Sequence, residues 1–315
     1  MKKSQRICIF VISICSAIIL VLGICFGMYQ YFNQFNRQKE LPIGHGQKVS
    51  VILLAGQSNA VGCSLNQYLQ KNVSRQKYKE YQNGYDKIYI NHYTGYNESK
   101  GFIKTSTNQG ETDDYFGPEV GLAEKLHEMY PDEFFIVIKY AWSGTNLYEQ
   151  WLSPSSTGNT GPLYQGFVQF VKQNINDLNN KGYSPEIVGM CWMQGESDSA
   201  TVESATNYEN NLKNLINDVR IEFAENAATN GIAFIDAYIA DKNNWWPQSA
   251  LINQSKQNVA NLAVNNIVID SNAHGLRCDK EPVEAPDMAH YDSLSQIKLG
   301  HLFAEQVAQF FTTES

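Results

Sequence analysis

Metal-ligand spacings are missing from this chain. Its 315 residues contain no CxxC pair, no HExxH and no His-x-His. Zinc sites are built from such clusters, so a metal centre is not expected. Cysteine is sparse: of six, Cys8, Cys15 and Cys25 lie in an apolar amino-terminal segment, leaving Cys63, Cys191 and Cys278 for the rest. An odd number cannot be fully paired within one chain. Cys191 sits in an apolar, strand-like run and reads as a small core residue. A Cys63–Cys278 bridge is left open, because spatial reach decides bridging. Long basic runs are absent too. The 32 acidic residues outweigh 24 basic ones, for a formal net charge of -8 and a pI near 5.3. The positive footprint that nucleic acid requires is lacking, and no nucleic-acid partner is expected.

What is present is ordinary globular material. A chain that is 43% hydrophobic and 18% charged can bury a sizeable core. The amino terminus differs. Behind Lys2, Lys3 and Arg6, the stretch from Ile7 to Met28 is almost wholly apolar, and roughly 20 such residues cross a bilayer as a helix. The competing reading is a cleaved secretory signal, whose apolar region runs to about 7 to 15 residues before a small-x-small site. Bulky Ile24 ahead of Cys25 argues against a lipoprotein. Basic residues before the segment favour a cytoplasmic amino terminus. The expectation is a membrane anchor over residues 1–28, a polar linker over 29–48, and one folded domain over 49–315 on the outer side of the cell membrane. Secretion after cleavage is the alternative location.

Beyond the linker, apolar strand-like runs recur at Val49–Ala55, Lys87–Ile90, Phe134–Ala141, Glu186–Met193, Ile232–Ile235 and Asn266–Ile269. Helical spacing separates them at Pro118–Met129, Leu163–Leu178, Tyr208–Phe223, Leu251–Val264 and Ile297–Phe311. Such alternation argues an α/β fold, a parallel sheet with helices on both faces. No internal repeat or later composition shift divides it. The long irregular stretches 91–116, 142–162, 194–201 and 271–293 each follow a strand. In an open parallel sheet such loops gather at the carboxyl ends of the strands, where these folds bind ligands.

The first strand ends in Val51-Ile-Leu-Leu-Ala-Gly-Gln-Ser-Asn59, an apolar run broken at Gly56. Gly56 tolerates a tight strand-to-turn junction, which would expose Ser58 as a nucleophile. The plainer reading is that Ser58 and Asn59 cap the next helix. A serine nucleophile needs a base. Of six histidines, His290 has the best credentials, since Asp287-Met288-Ala289-His290 puts a carboxylate three residues ahead of an imidazole in a rim loop. The plainer reading here is a local turn contact. An oxyanion needs donors, and the Gly144 N–H in Trp142-Ser-Gly-Thr145 and the Gln194 amide in Gln194-Gly-Glu-Ser-Asp198 are candidates on the same rim. Against these stand a plain turn at Gly144 and capping of the following helix by Glu196 or Asp198. Ser143 and Ser197 are rival nucleophiles without so clear a junction. The α/β-hydrolase elbow is a poorer match, because Ser58 lies in Gly-x-Ser-x-Ala after the first strand.

These blocks, Gly56-Gln-Ser-Asn59, Trp142-Ser-Gly-Thr145, Gln194-Gly-Glu-Ser-Asp198 and Asp287-Met-Ala-His290, resemble those of the SGNH hydrolase superfamily. More narrowly they resemble its sialate O-acetylesterase and acetylxylan esterase branch, carbohydrate esterase family 6, as does Gly117-Pro-Glu119. The resemblance spans about 49–311. It implies a three-layer flavodoxin-like fold, Ser58 as nucleophile, His290 as base, Asp287 as its orienter, and an oxyanion hole of the Ser58 N–H, the Gly144 N–H and Gln194. Many SGNH enzymes carry asparagine where this chain has Gln194, which favours the narrower branch. Gln57, Asn59 and Glu196 would be supporting residues. The implied reaction removes O-acetyl groups from carbohydrate, from acetylated sialic acid or acetylated xylan-type glycans, through an acyl-enzyme and without a cofactor. Trp142, Trp151, Trp245 and Trp246 would suit stacking on sugar, or packing beneath the loops. Arg277 in the last loop is the obvious candidate for a sialate carboxylate. The alternative class is a non-catalytic cell-surface carbohydrate-binding protein on the same fold.

Overall fold

Val51 to Ala55 are wholly inaccessible to solvent and form the middle strand of a seven-stranded sheet. A strand buried on both faces needs a near-continuous apolar run, as here. Burying each leucine contributes about 2 kcal/mol. The computed structural model describes residues 40–241 and 245–311. The expected anchor over 1–28 and most of the 29–48 linker lie outside the described residues. Among those described, no helix is long and apolar enough to cross a membrane. Leu41 onward forms one compact unit.

The strands are β1 (Lys48–Gly56), β2 (Ser64–Leu65), β3 (Ile88–Tyr93), β4 (Ile103–Lys104), β5 (Tyr115–Phe116), β6 (Phe135–Ala141), β7 (Ser184–Met193), β8 (Ala233–Ala237) and β9 (Asn266–Ile269). The helices are α1 (Ser58–Val61), α2 (Asn66–Asn72), α3 (Arg75–Asn83), α4 (Glu119–Met129), α5 (Pro162–Asn180), α6 (Val202–Glu222), α7 (Ser249–Ala260) and α8 (Ser293–Val307). The main sheet runs β4-β3-β6-β1-β7-β8-β9, parallel throughout except for the antiparallel edge strand β4. β2 and β5 form a separate ribbon.

The sheet is mostly parallel, as the alternation predicts, and β6-β1-β7-β8-β9, numbered among themselves, run in the doubly wound order 2-1-3-4-5. β3 and the edge strand β4 extend this row beyond β6. All seven residues of β6 are buried, which suits a strand paired on both sides, whereas β3 carries Asn91, His92 and Tyr93 toward the edge. His92, expected in a loop, thus lies within β3. It is buried without ring hydrogen bonds, and burial lowers its pKa to about 3.

Helices cover both faces. On β7 the backbone at Gly189 approaches Val307 of α8, while Trp192, on the opposite face, packs edge-on to Trp151, which meets Phe167 of α5. α4 and α8 cross at a glycine notch: a Cβ at Gly121 would meet Ile297 O at 2.0 Å, and one at Gly300 would meet Pro118 O at 2.1 Å. Between this layer and the sheet lies a fully buried ion pair, Lys139 Nζ to Glu119 Oε2 at 2.7 Å. Glu119 also accepts from Gly117 N–H at 2.7 Å, and Lys139 donates to Gln109 O at 2.8 Å. Burial raises the Glu119 pKa and lowers that of Lys139, each against the attraction of its partner. The pair ties β6 to the start of α4. Helices α2 and α3 were not expected, because their apolar faces are supplied mainly by tyrosines, Tyr68, Tyr78 and Tyr81.

Candidate active site

The turn after β1 is forced by close approach. Gly56 has φ +138°, and a Cβ there would lie 2.0 Å from Met193 O at the end of β7. Gln57 N–H donates to that same carbonyl at 2.9 Å, and Trp142 N–H donates to Gly56 O at 3.1 Å. The turn is thereby pinned between the carboxyl ends of β6 and β7. Ser58 is the first residue of α1, and neither its side chain nor that of Asn59 caps the helix. The Ser58 hydroxyl makes no hydrogen bond among the described residues, though the residue is 7% exposed.

Its neighbours are fully engaged. Asn59 Nδ2 donates to Glu196 Oε1 at 2.8 Å and to Ala289 O at 3.2 Å, while Asn59 Oδ1 accepts from Tyr291 N–H at 3.0 Å. Gln296 of α8 donates to Asn59 O at 2.7 Å. The residues on either side of His290 are therefore bonded to the residue that follows Ser58. Gln57 Oε1 accepts from Gln194 Nε2 at 3.2 Å and from the N–H groups of Gly195 and Ser197 at 3.4 and 3.2 Å. One glutamine thus shapes the loop after β7.

His290 Nδ1 bonds Asp287 Oδ2 at 2.7 Å, and Asp287 Oδ1 accepts from the N–H groups of Ala289 and His290, both at 2.8 Å. The ring contact and the local turn coexist, one on each carboxylate oxygen. Burial of the imidazole disfavours its charged form, but the Asp287 carboxylate and the Cys63 thiol outweigh it and raise the His290 pKa well above the ordinary histidine value. Burial would raise Asp287, yet hydrogen bonds from His290 and Ala289 lower it. Cys63 is the residue that motif reasoning missed. Nothing about a lone cysteine five positions after Ser58 signals a place beside His290. Cys63 and Cys278 are both free, so the bridge left open is not formed. Cys63 Sγ also lies 3.9 Å from Ser143 Oγ, which donates to Glu111 at 3.1 Å.

Gly144 is exposed at φ +70° with open space around it, in the loop pinned to Gly56. Gln194 is different. It is wholly buried, and its Nε2 is committed to Asp198 Oδ2 at 2.6 Å, Thr145 O at 3.0 Å and Gln57 Oε1 at 3.2 Å. An amide with two hydrogens so engaged has none left for an oxyanion. Asp198 caps no helix with its side chain, accepting instead from Leu147 and Tyr148 N–H at 2.8 and 3.0 Å. Burial raises its pKa to about 6 against those bonds. Glu196 is 1% exposed, with Oε2 unpartnered, and burial raises its pKa despite the Asn59 bond.

Of the rim tryptophans, Trp151 is fully buried in the core, Trp142 and Trp246 pack partly against it, and Trp245 is 65% exposed. Arg277 is engaged by Asp279 through two bonds of 2.7 and 2.5 Å. Among the described residues no cluster of three His, Cys, Asp or Glu side chains is placed to hold a metal.

The family model described as carbohydrate esterase, sialic acid-specific acetylesterase matches residues 48–309. Among solved structures, a protein from Arabidopsis thaliana is 17% identical, with 84% of this chain and 99% of that one aligned and a TM-score of 0.60. NanS is 16% identical, with 84% and 98% aligned and a TM-score of 0.61. At such identities the likeness is one of fold. Comparison with curated proteins finds no match.

Proposed function

This chain belongs to the family of sialic acid-specific acetylesterases and is a carbohydrate O-acetylesterase, and on that premise we propose that Ser58, His290 and Asp287 carry the reaction. His290 takes the Ser58 proton on the ring nitrogen that Asp287 leaves free, and the hydroxyl oxygen attacks the acetyl carbonyl. The negative oxygen of the tetrahedral intermediate is held by the N–H groups of Ser58 and Gly144. His290 then protonates the departing sugar oxygen. Water, activated by the same ring, frees acetate from the acylated serine. Gln194 braces the loop after β7 and holds Thr145 beside Gly144 rather than touching the oxyanion.

The observation that carries this reading is the Asn59 clamp, which ties both flanks of His290 to the Ser58 turn while Asp287 holds the ring. Acetylated xylan-type glycans and acetylated sialic acid are the two substrate classes. The Arg277–Asp279 pair leaves that guanidinium engaged, which favours a neutral glycan. We place the enzyme at the outer face of the cell membrane, held by Ile7–Met28. A second reading, a carbohydrate-binding protein without turnover, is separated by one assay. Hydrolysis of an aryl acetate, with release of acetate from acetylated xylan fragments and acetylated sialic acid, tests activity and substrate together. No acetate from any of the three would leave only the binding reading.

A further inference from the structure

The middle of α6 is oddly composed for a helix. Asn207, Asn210, Asn211 and Asn214 recur at spacings of three and four, so they share one face. Asparagine is a poor helix former, and such a stripe calls for another reason to exist. That face looks into a cleft of about 750 Å³, closed on the other side by the 148–162 segment. The volume falls within the range of roughly 300 to 1,000 Å³ usual for small-molecule sites.

The cleft is built from paired donors and acceptors. Asn214 ties the helix to the loop through Ser156 Oγ at 3.2 Å, and Asn207 is spent on Glu203 O at 2.9 Å. Between them Asn211 is only 8% exposed, lines the cleft, and its amide has no hydrogen-bond partner among the described residues. Both polar atoms of that amide stay open to the cleft, so they are available to a ligand without breaking a bond within the protein. Each amide offers a donor and an acceptor, the complement of a pair of sugar hydroxyls. Tyr148 and Leu152 add apolar surface for a C–H face. Charge in the lining is balanced between Glu149 and Lys213.

We infer that this cleft is a subsite for a neutral saccharide, taking the unesterified part of the glycan whose acetyl group reacts. The inference rests on the esterase reading above. The two places share one loop: Gly144 and Tyr148 lie in the same segment, and Asp198 fixes the N–H groups of Leu147 and Tyr148 between them.

Titration of the full-length chain with unacetylated tetrasaccharides of xylose, glucose, mannose and N-acetylglucosamine, with N-acetylneuraminic acid as the charged control, tests it. At least one neutral tetrasaccharide should bind. Its Kd should rise at least tenfold in Asn211→Leu, a change of similar shape without the amide, and several-fold in the exposed Asn210→Ala, which decides the matter if Asn211→Leu does not fold. Aryl acetate turnover should be unchanged in both, while KM for the acetylated form of the bound tetrasaccharide rises in step with Kd. No neutral saccharide bound, stronger binding of the charged control, or equal binding by the folded variants would overturn the inference. Loss of aryl acetate turnover in the parent chain would instead overturn the catalytic assignment and leave saccharide binding to be judged by titration alone.

Discussion

Asn59 accepts the N–H of Tyr291 at 3.0 Å across 232 positions of sequence, so the residue after the proposed nucleophile holds the backbone next to the proposed base. With the second bond, from Asn59 to Ala289 O, the loop cannot shift its imidazole without breaking both. Glu196 in turn fixes the face of the Asn59 amide.

Ser58→Ala and His290→Ala should each lower deacetylation by at least about a thousandfold, because the groups act as a unit. Asp287→Asn should cost less than either, since it weakens the orientation and charge support of His290 without removing the proton acceptor. Steady-state kinetics with circular dichroism on each variant checks this. A folded Ser58→Ala protein with parent activity would defeat the nucleophile assignment.

Asn59→Ala should lower kcat by about a hundredfold, the usual cost of an ångström-scale misplacement, with a smaller effect on KM. It also strips partners from Ala289 O and Tyr291 N–H, so the melting temperature should fall. Asn59→Asp keeps the acceptor for Tyr291 but sets a carboxyl group against Glu196, and should recover little of either property. Parent-like kcat in a folded Asn59→Ala enzyme would show that the clamp has no catalytic consequence.

The pH dependence follows from the raised pKa of His290. Only the neutral ring can take a proton, so activity should rise with pH along a limb lying above the ordinary histidine value of about 6.5. Cys63 contributes to the raising, so Cys63→Ala should move the limb to lower pH and increase the fraction of active enzyme near neutrality. The stability linkage has the opposite sense. A histidine raised on folding stabilises fully below its unfolded pKa, and that contribution is lost as pH rises through the folded value. Rate profiles of parent and variant from pH 5 to 10 decide the point, and coincident limbs would remove Cys63 from the account.

Glu119→Gln leaves Lys139 charged and fully buried without its carboxylate. Breaking a buried pair in this way costs about 3 to 5 kcal/mol. Chemical denaturation should show a loss of that size. A Glu119→Gln protein as stable as the parent would mean that the pair is not ionised in the folded chain.

Period and turn chemistry are local properties, and they carried much of this protein. The Val51–Ala55 run had to be a buried strand, because nothing but pairing on both sides satisfies its backbone in an apolar setting. The break at Gly56 needed glycine for a close approach and a positive φ. The run of strands and helices placed the loops of Ser58, Gly144, Glu196 and His290 at one rim, since parallel strands all end on the same side. Decisions between distant side chains were not readable there. Gln194 has the right residue type for an oxyanion donor, but Gln57 and Thr145 from other loops, with Asp198 from its own, take its hydrogens. Cys63 and Cys278 stay apart, and Cys63 meets His290 instead. The place of β3 escaped pattern reading as well, because an apolar run does not say whether it lies inside the row or extends it, and β3 is added outside β6. Hydrogen-bond capacity is a property of the residue, whereas how that capacity is spent depends on which groups the folded chain brings within reach.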